Sequence, residues 1–125
     1  MHHHRVWIIG GALNAAVAVG MAAASTHAPV LQAASSYLHS AIAMHQLHAL
    51  GLLAVGLLLR SGSSNRWWQL AAAAFALGLV LFCFNLYARA LWDFNALRAL
   101  VPAGGTSFML GWVLVAVGAW RQPRP

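Results

Sequence analysis

The sequence predicts an all-α integral membrane protein: a four-helix bundle of antiparallel, up-down topology with both termini cytoplasmic. Three observations predict it. Four apolar runs, at about residues 6–24, 38–59, 67–87 and 102–120, are each long enough at about 1.5 Å per residue to cross a hydrocarbon layer of roughly 30 Å. Hydrophobic residues make up 62% of the 125 and charged ones 6%, against roughly 25% charged in soluble domains. Lipid must therefore solvate most of the surface. The third observation is the placement of arginine. Arg5, Arg60, Arg66, Arg121 and Arg124 fall on one side of the runs, Arg89 and Arg98 on the other, and the positive-inside rule assigns the richer side to the cytoplasm. The length fits one domain, residues 1–125.

Met1–Arg5 is a polar leader with three histidines, to which no function is given. Val6–Ala24 follows with Asn14 as its one polar side chain. A cleaved signal peptide ending in Ala22-Ala23-Ala24 is the rival reading, but signal cores run about 7–15 residues, shorter than this. Ser25–Ser40 is a connector holding Pro29; nothing in Gln32–Ser40 breaks a helix, so the second helix is expected to begin before its apolar run. Ala41–Leu59 carries His45 and His48 near its middle. The segment from Arg60 to Arg66, small and polar between two cations, is the clearest loop.

The third span has Gln69 near its entrance and Asn85 near its exit. Beyond it, Arg89 and Asp93 are spaced to pair on one helical face. Pro102 opens the fourth span, where proline is tolerated in a first turn. Arg121–Pro125 forms a polar tail. Trp7, Trp67, Trp68 and Trp120 mark the inner interface, and Tyr37, Tyr87 and Trp92 the outer one. Trp112 falls mid-span, where its indole N–H needs a partner.

Helices in lipid associate through close packing, which favours small residues on the contact face. Gly104, Ser107, Gly111 and Gly118, with Gly105 beside them, give such a stripe on the fourth helix; Ala71, Ala74, Gly78 and Asn85 give one on the third, and Gly11, Asn14, Ala18 and Ser25 one on the first. All are expected to face inward.

Imidazoles are costly in hydrocarbon and should face protein. By helical rise, Asn14 and His48 lie at similar depth and are expected to hydrogen-bond, with Met21 near the level of His45. His27, His45, His48, Asn14, Asn85 and Tyr87 form the candidate polar or ligand cluster. One reading is a metal or proton site using His27, His45 and His48 with Met44 or Met21, since imidazole and thioether together suit copper. The other is hydrogen bonds that lock helix packing, favoured because no carboxylate stands near to orient a ligand histidine; no metal and no cofactor is expected. A lipid or quinone groove lined by Trp112 and Phe108 is a third option.

Other chemistries lack their residues. A single acid, Asp93, removes paired-carboxylate catalysis and acid-coupled export. Gly104-Gly105 lacks the lysine and strand of a phosphate loop. One cysteine, Cys83, excludes an internal disulfide or a CxxC pair. Dispersed arginines without a basic patch argue against nucleic acid. No catalytic residue is assigned, and an enzyme is not expected.

Leu81-Phe82, Leu86-Tyr87, Pro102, Gly104-Gly105, Phe108 and Gly111-Trp112, with His48-Ala49-Leu50 and His27, resemble the pattern of the YgdD-like family, small four-helix bacterial inner-membrane proteins assigned to a domain of unknown function. Ala24-Ser25-Thr26-His27-Ala28 replaces that family's glycine-rich turn, Asn85 stands for its usual serine, and His45 has no counterpart there. The resemblance implies fold, topology and an inner (plasma) membrane location, and one feature near the outer leaflet formed by His27, His48, Asn85, Tyr87 and the Gly104-Gly105 turn. It implies no chemistry. The expected function is non-enzymatic: helix association within the lipid bilayer, as a homo-oligomer or an accessory subunit of a larger membrane complex. The alternative is a transport or ligand-binding module that handles a metal ion or protons through the intramembrane histidines.

Overall fold

The computed structural model describes residues 3–62 and 64–123. Met1 and His2 of the leader, Ser63 of the arginine-bounded loop, and Arg124 and Pro125 of the tail lie outside the described residues. The fold is all-α, with no strand among the described residues: α1 (His3–His27), a single turn α2 (Pro29–Gln32), α3 (Ser35–Arg60), α4 (Arg66–Gly78), a π-helical turn (Leu79–Phe84), α5 (Asn85–Trp92), a 3₁₀ turn (Arg98–Leu100) and α6 (Val101–Trp120). Because α4, the π turn and α5 are continuous, four helices are long and apolar enough to span a membrane: His3–His27, Ser35–Arg60, Arg66–Trp92 and Arg98–Trp120. Helix is what hydrocarbon demands, since every backbone polar group must then be satisfied within its own segment.

The breaks have local causes. Pro29 and Pro102 sit in the first turns of α2 and α6, where a missing N–H costs nothing. The loop between α3 and α4 turns at Gly62, whose φ of 102° excludes most side chains. Asn65 caps α4, its side-chain oxygen accepting from the Trp67 N–H at 3.0 Å. Asp93 ends α5 in the left-handed region, with φ 51°. It does not pair with Arg89 as the spacing predicts: its carboxylate accepts from Asn95 Nδ2, and the Arg89 guanidinium lies 4.4 Å from the Tyr37 ring centroid instead.

α1 packs on α3, α6 packs on α4 and the π turn, and α3 meets α4 to join the two pairs. The small-residue stripes face inward. A Cβ at Gly11 would fall 2.5 Å from the Leu53 nitrogen, and one at Gly56 2.9 Å from the Ile8 nitrogen. Across the other pair, Gly78 receives the Phe108 ring, Gly111 that of Phe75 and Gly118 that of Trp68, while Gly104 abuts the backbone of Leu81 and Phe82. Gly105 is less crowded than these. One residue on from Gly104, it leaves room: a Cβ there would lie 3.9 Å from the Phe82 ring, an ordinary contact distance.

The π turn has a positional consequence. A wide turn inserts one residue, so the helix beyond it presents its next position to the core. The face begun by Ala71, Phe75 and Gly78 accordingly continues through Cys83, Tyr87 and Ala90, all buried. This shift carries Tyr87 to the middle of α3.

Candidate functional site

His45 and His48 lie one turn apart on α3, at most 2% exposed, and their hydrogen-bond partners come from the chain itself. His45 is held from both sides. Its Nε2 lies 3.0 Å from the Asn14 side-chain oxygen on α1, and its Nδ1 2.9 Å from the Tyr87 hydroxyl on α5. Asn14 donates its amide nitrogen to the Gly10 carbonyl at 2.8 Å, which points its oxygen at His45. The proton order follows from these partners: Tyr87 O–H donates to Nδ1, and Nε2–H donates to Asn14.

His48 is arranged the opposite way. Its Nδ1 donates to the Met44 carbonyl at 2.7 Å, and its Nε2 accepts the indole N–H of Trp112 at 3.0 Å. The ring stacks on Phe108, with centroids 3.6 Å apart and planes at 11°, while Phe75 meets it edge-on at 5.5 Å. Phe84 meets His45 in the same manner at 5.4 Å. Two imidazoles three residues apart thus use opposite tautomers, and each lone pair is filled by a protein donor. Together the bonds tie all four spans through Asn14, His45, His48, Tyr87 and Trp112.

Several expectations are corrected here. Asn14 bonds His45 rather than His48, because rise along the axis fixes depth but not rotation about it. His27 is exposed at the end of α1, thirteen residues or roughly 20 Å of helix from Asn14, and is not brought to the cluster. Asn85 donates to the Leu97 carbonyl at 2.6 Å, anchoring the segment before the 3₁₀ turn. Gly104 abuts the π turn. The single outer-leaflet feature implied for His27, His48, Asn85, Tyr87 and Gly104-Gly105 is therefore not assembled. Met44 offers its carbonyl, not its thioether, to His48. Phe108, 3% exposed, is buried against His48. Among the described residues no three His, Cys, Asp or Glu side chains gather as metal ligands.

Sequence reasoning anticipated that Trp112 needs a partner but named none for it. It missed three bonds joining α6 to the α4 side: Ser107 Oγ to the Ala74 carbonyl at 2.7 Å, Trp68 Nε1 to the Val115 carbonyl at 3.2 Å, and Asn65 Nδ2 to the Gly118 carbonyl at 2.9 Å. Ser107 and Ala74 both lie on the small-residue stripes, which was the available signal. Among the described residues the buried indole nitrogen of Trp7 is the side-chain polar atom left without a partner.

Known proteins resemble this chain without supplying a chemistry. A family model described as "Protein of unknown function (DUF423)" matches residues 18–105. A UPF0382 membrane protein of Staphylococcus saprophyticus is 35% identical over 94% of this chain and 98% of its own length. The Bacillus subtilis UPF0382 membrane protein YwdK is 34% identical over 92% and 96%. One from Haemophilus influenzae is 33% identical over 85% of each. No solved structure matches. Nothing in these likenesses indicates catalysis.

Proposed function

We propose that this chain, which belongs to the DUF423 family of small membrane proteins, works without catalysis, by associating through its helices in the bacterial inner membrane as a homo-oligomer or an accessory subunit of a larger complex. The single observation that carries the proposal is Gly20. Six other helical glycines, at positions 11, 56, 78, 104, 111 and 118, sit where a Cβ would strike a neighbour of the same chain, but a Cβ at Gly20 would meet nothing within 4 Å. Ala12, Ala16, Gly20 and Ala23 share one exposed face of α1, the spacing that lets a second helix approach closely. Only Gly11 and Ala18 of this 25-residue helix are buried.

The likeness to the YgdD-like pattern supports the inner-membrane assignment. An antiparallel bundle is supported by contacts that run in opposite order, with Ile8 by Gly56 and Asn14 by His45; the arginine count supports cytoplasmic termini. The filled imidazole lone pairs weigh against the alternative of metal or proton handling.

Cysteine placed by Ala16→Cys in a Cys83→Ala background tests the proposal by oxidative cross-linking in native membranes. A dimer of this chain supports the homo-oligomer, and a bond to another polypeptide supports the accessory subunit. Gly20→Leu is expected to abolish either while leaving helix content unchanged. A chain that stays uncross-linked in membranes and monomeric in mild detergent overturns the proposal.

A further inference from the structure

Arginine gathers at one end of the bundle. Adjoining clefts around the start of α1, the α3–α4 loop and the end of α6 are lined in turn by Arg5 with Arg60, by Arg60 with Ser64, and by Arg66 with Arg121. The last is the most organised. Arg66 and Arg121 lie 5.0 and 5.2 Å from the centroid of the same Trp67 ring. An indole face attracts a cation, but two guanidiniums on one indole also repel each other. The chain's one side-chain carboxylate, Asp93, lies beyond the far end of the span Arg66–Trp92, 27 residues or roughly 40 Å away. Nothing acidic among the described side chains can neutralise the pair.

The start of α4, with Arg66 as its first residue, is anchored to α6, because its cap Asn65 bonds both the Trp67 N–H and the Gly118 carbonyl. Ser64, Asn65, Arg66, Trp67, Arg121 and Gln122 line a cleft of about 300 Å³. Next to it, and sharing Arg121, is a recess of about 370 Å³ lined by Ala116, Val117 and Trp120, with Trp120 90% exposed. A cationic cleft thus opens onto an apolar trough at a helix end.

We infer that this cleft binds the phosphate of an anionic phospholipid, with an acyl chain lying along Ala116, Val117 and Trp120. Two guanidiniums supply forked donors that match phosphate oxygens, and the Ser64 hydroxyl adds one more. Basic pockets beside transmembrane helices are where such headgroups are held. The adjoining trough favours a lipid over free phosphate, and the net charge of the pair favours an anionic lipid over a zwitterionic one. The inference is independent of helix association.

The test uses the full chain in nanodiscs of phosphatidylcholine doped with phosphatidylglycerol, with retained lipid counted by native mass spectrometry. Phosphatidylglycerol is expected to be retained well above its share of the disc. Each arginine facing an anionic headgroup is worth about fivefold, so Arg66→Gln with Arg121→Gln is expected to cut retention by about 25-fold. Arg66→Lys with Arg121→Lys keeps both charges and most of the retention. Arg89→Gln with Arg98→Gln, at the other end, leaves it unchanged. Equal retention of the two lipids overturns the inference, as does a glutamine pair that folds by circular dichroism and retains lipid normally. Inorganic phosphate that displaces phosphatidylglycerol at equal concentration overturns the lipid assignment in favour of a free anion.

Discussion

The two helix pairs of this bundle are closed by different means. Between α1 and α3, glycine brings main chain to main chain, with Gly11 against Leu53 and Ala49 and Gly56 against Trp7 and Ile8. Between α4 and α6, glycine makes pits for rings: Gly78 takes Phe108, Gly111 takes Phe75 and Gly118 takes Trp68, and only beyond α4, at the π turn, does Gly104 meet main chain, at Leu81 and Phe82. The polar links differ in step. The first pair is linked side chain to side chain by Asn14 and His45. The second is joined by three side chain–carbonyl bonds, from Ser107, Trp68 and Asn65. The same residue type therefore does two jobs. A backbone contact cannot yield without separating the helices, whereas a ring has torsions with which to move aside.

The largest effect is expected at Gly11. A methyl there meets the Leu53 nitrogen at 2.5 Å, its Cα at 2.8 Å and the Ala49 oxygen at 2.9 Å, and no rotamer change relieves any of them. Gly11→Ala should destabilise the folded chain by about 3 kcal/mol, the upper end of overpacking costs, measured by steric trapping in bicelles. Gly111→Ala should cost less, about 1–2 kcal/mol, because the Phe75 ring that lies 2.5 Å from the new methyl can tilt. That ring also meets His48 at 5.5 Å and Trp112 at 4.8 Å, so the tilt is not free. Equal costs at the two glycines would break the distinction between backbone and ring contacts.

The inward faces were legible in the sequence, though not what each glycine meets, and the reason is periodicity. Gly104, Ser107, Gly111 and Gly118 fall on one face because helical spacing puts them there, and so do Gly11, Asn14 and Ala18. Element type followed from composition, since apolar runs of this length in lipid have no alternative to helix. What spacing cannot give is rotation of one helix against another. Asn14 lies within a turn of both histidines in depth, and only the packed pair selects His45. The π turn was invisible as well, because Leu79–Phe84 is apolar throughout and carries no glycine or proline to mark it. With that turn unseen, Tyr87 reads as an interfacial aromatic, when the inserted residue in fact rotates it onto His45. The Arg66 and Arg121 cleft joins the start of α4 to the end of α6, where Asn65 bonds Gly118 across 53 residues of chain, a separation that local pattern does not span.

The smallest effect decides what holds the first pair. Asn14→Ala, His45→Phe and the double variant form a cycle that isolates the bond between α1 and α3. Interhelical hydrogen bonds in membranes average about 0.6 kcal/mol, because groups released from each other still find partners within the bilayer. A coupling of that size in the same bicelle assay is the expectation here. It would leave backbone contact at Gly11 and Gly56 as the main cohesion of the pair, with His45 selecting register more than supplying strength. A value above about 2 kcal/mol would exceed the usual range for such bonds. It would mean that the polar belt closes α1 onto α3 and that the glycines merely permit the approach, reversing the order of causes drawn from the contacts. Tyr87→Phe separates the two cases further. It removes the donor to His45 Nδ1 while leaving the Asn14 bond and every glycine contact in place, so a loss as large as that of His45→Phe would assign the strength to the belt.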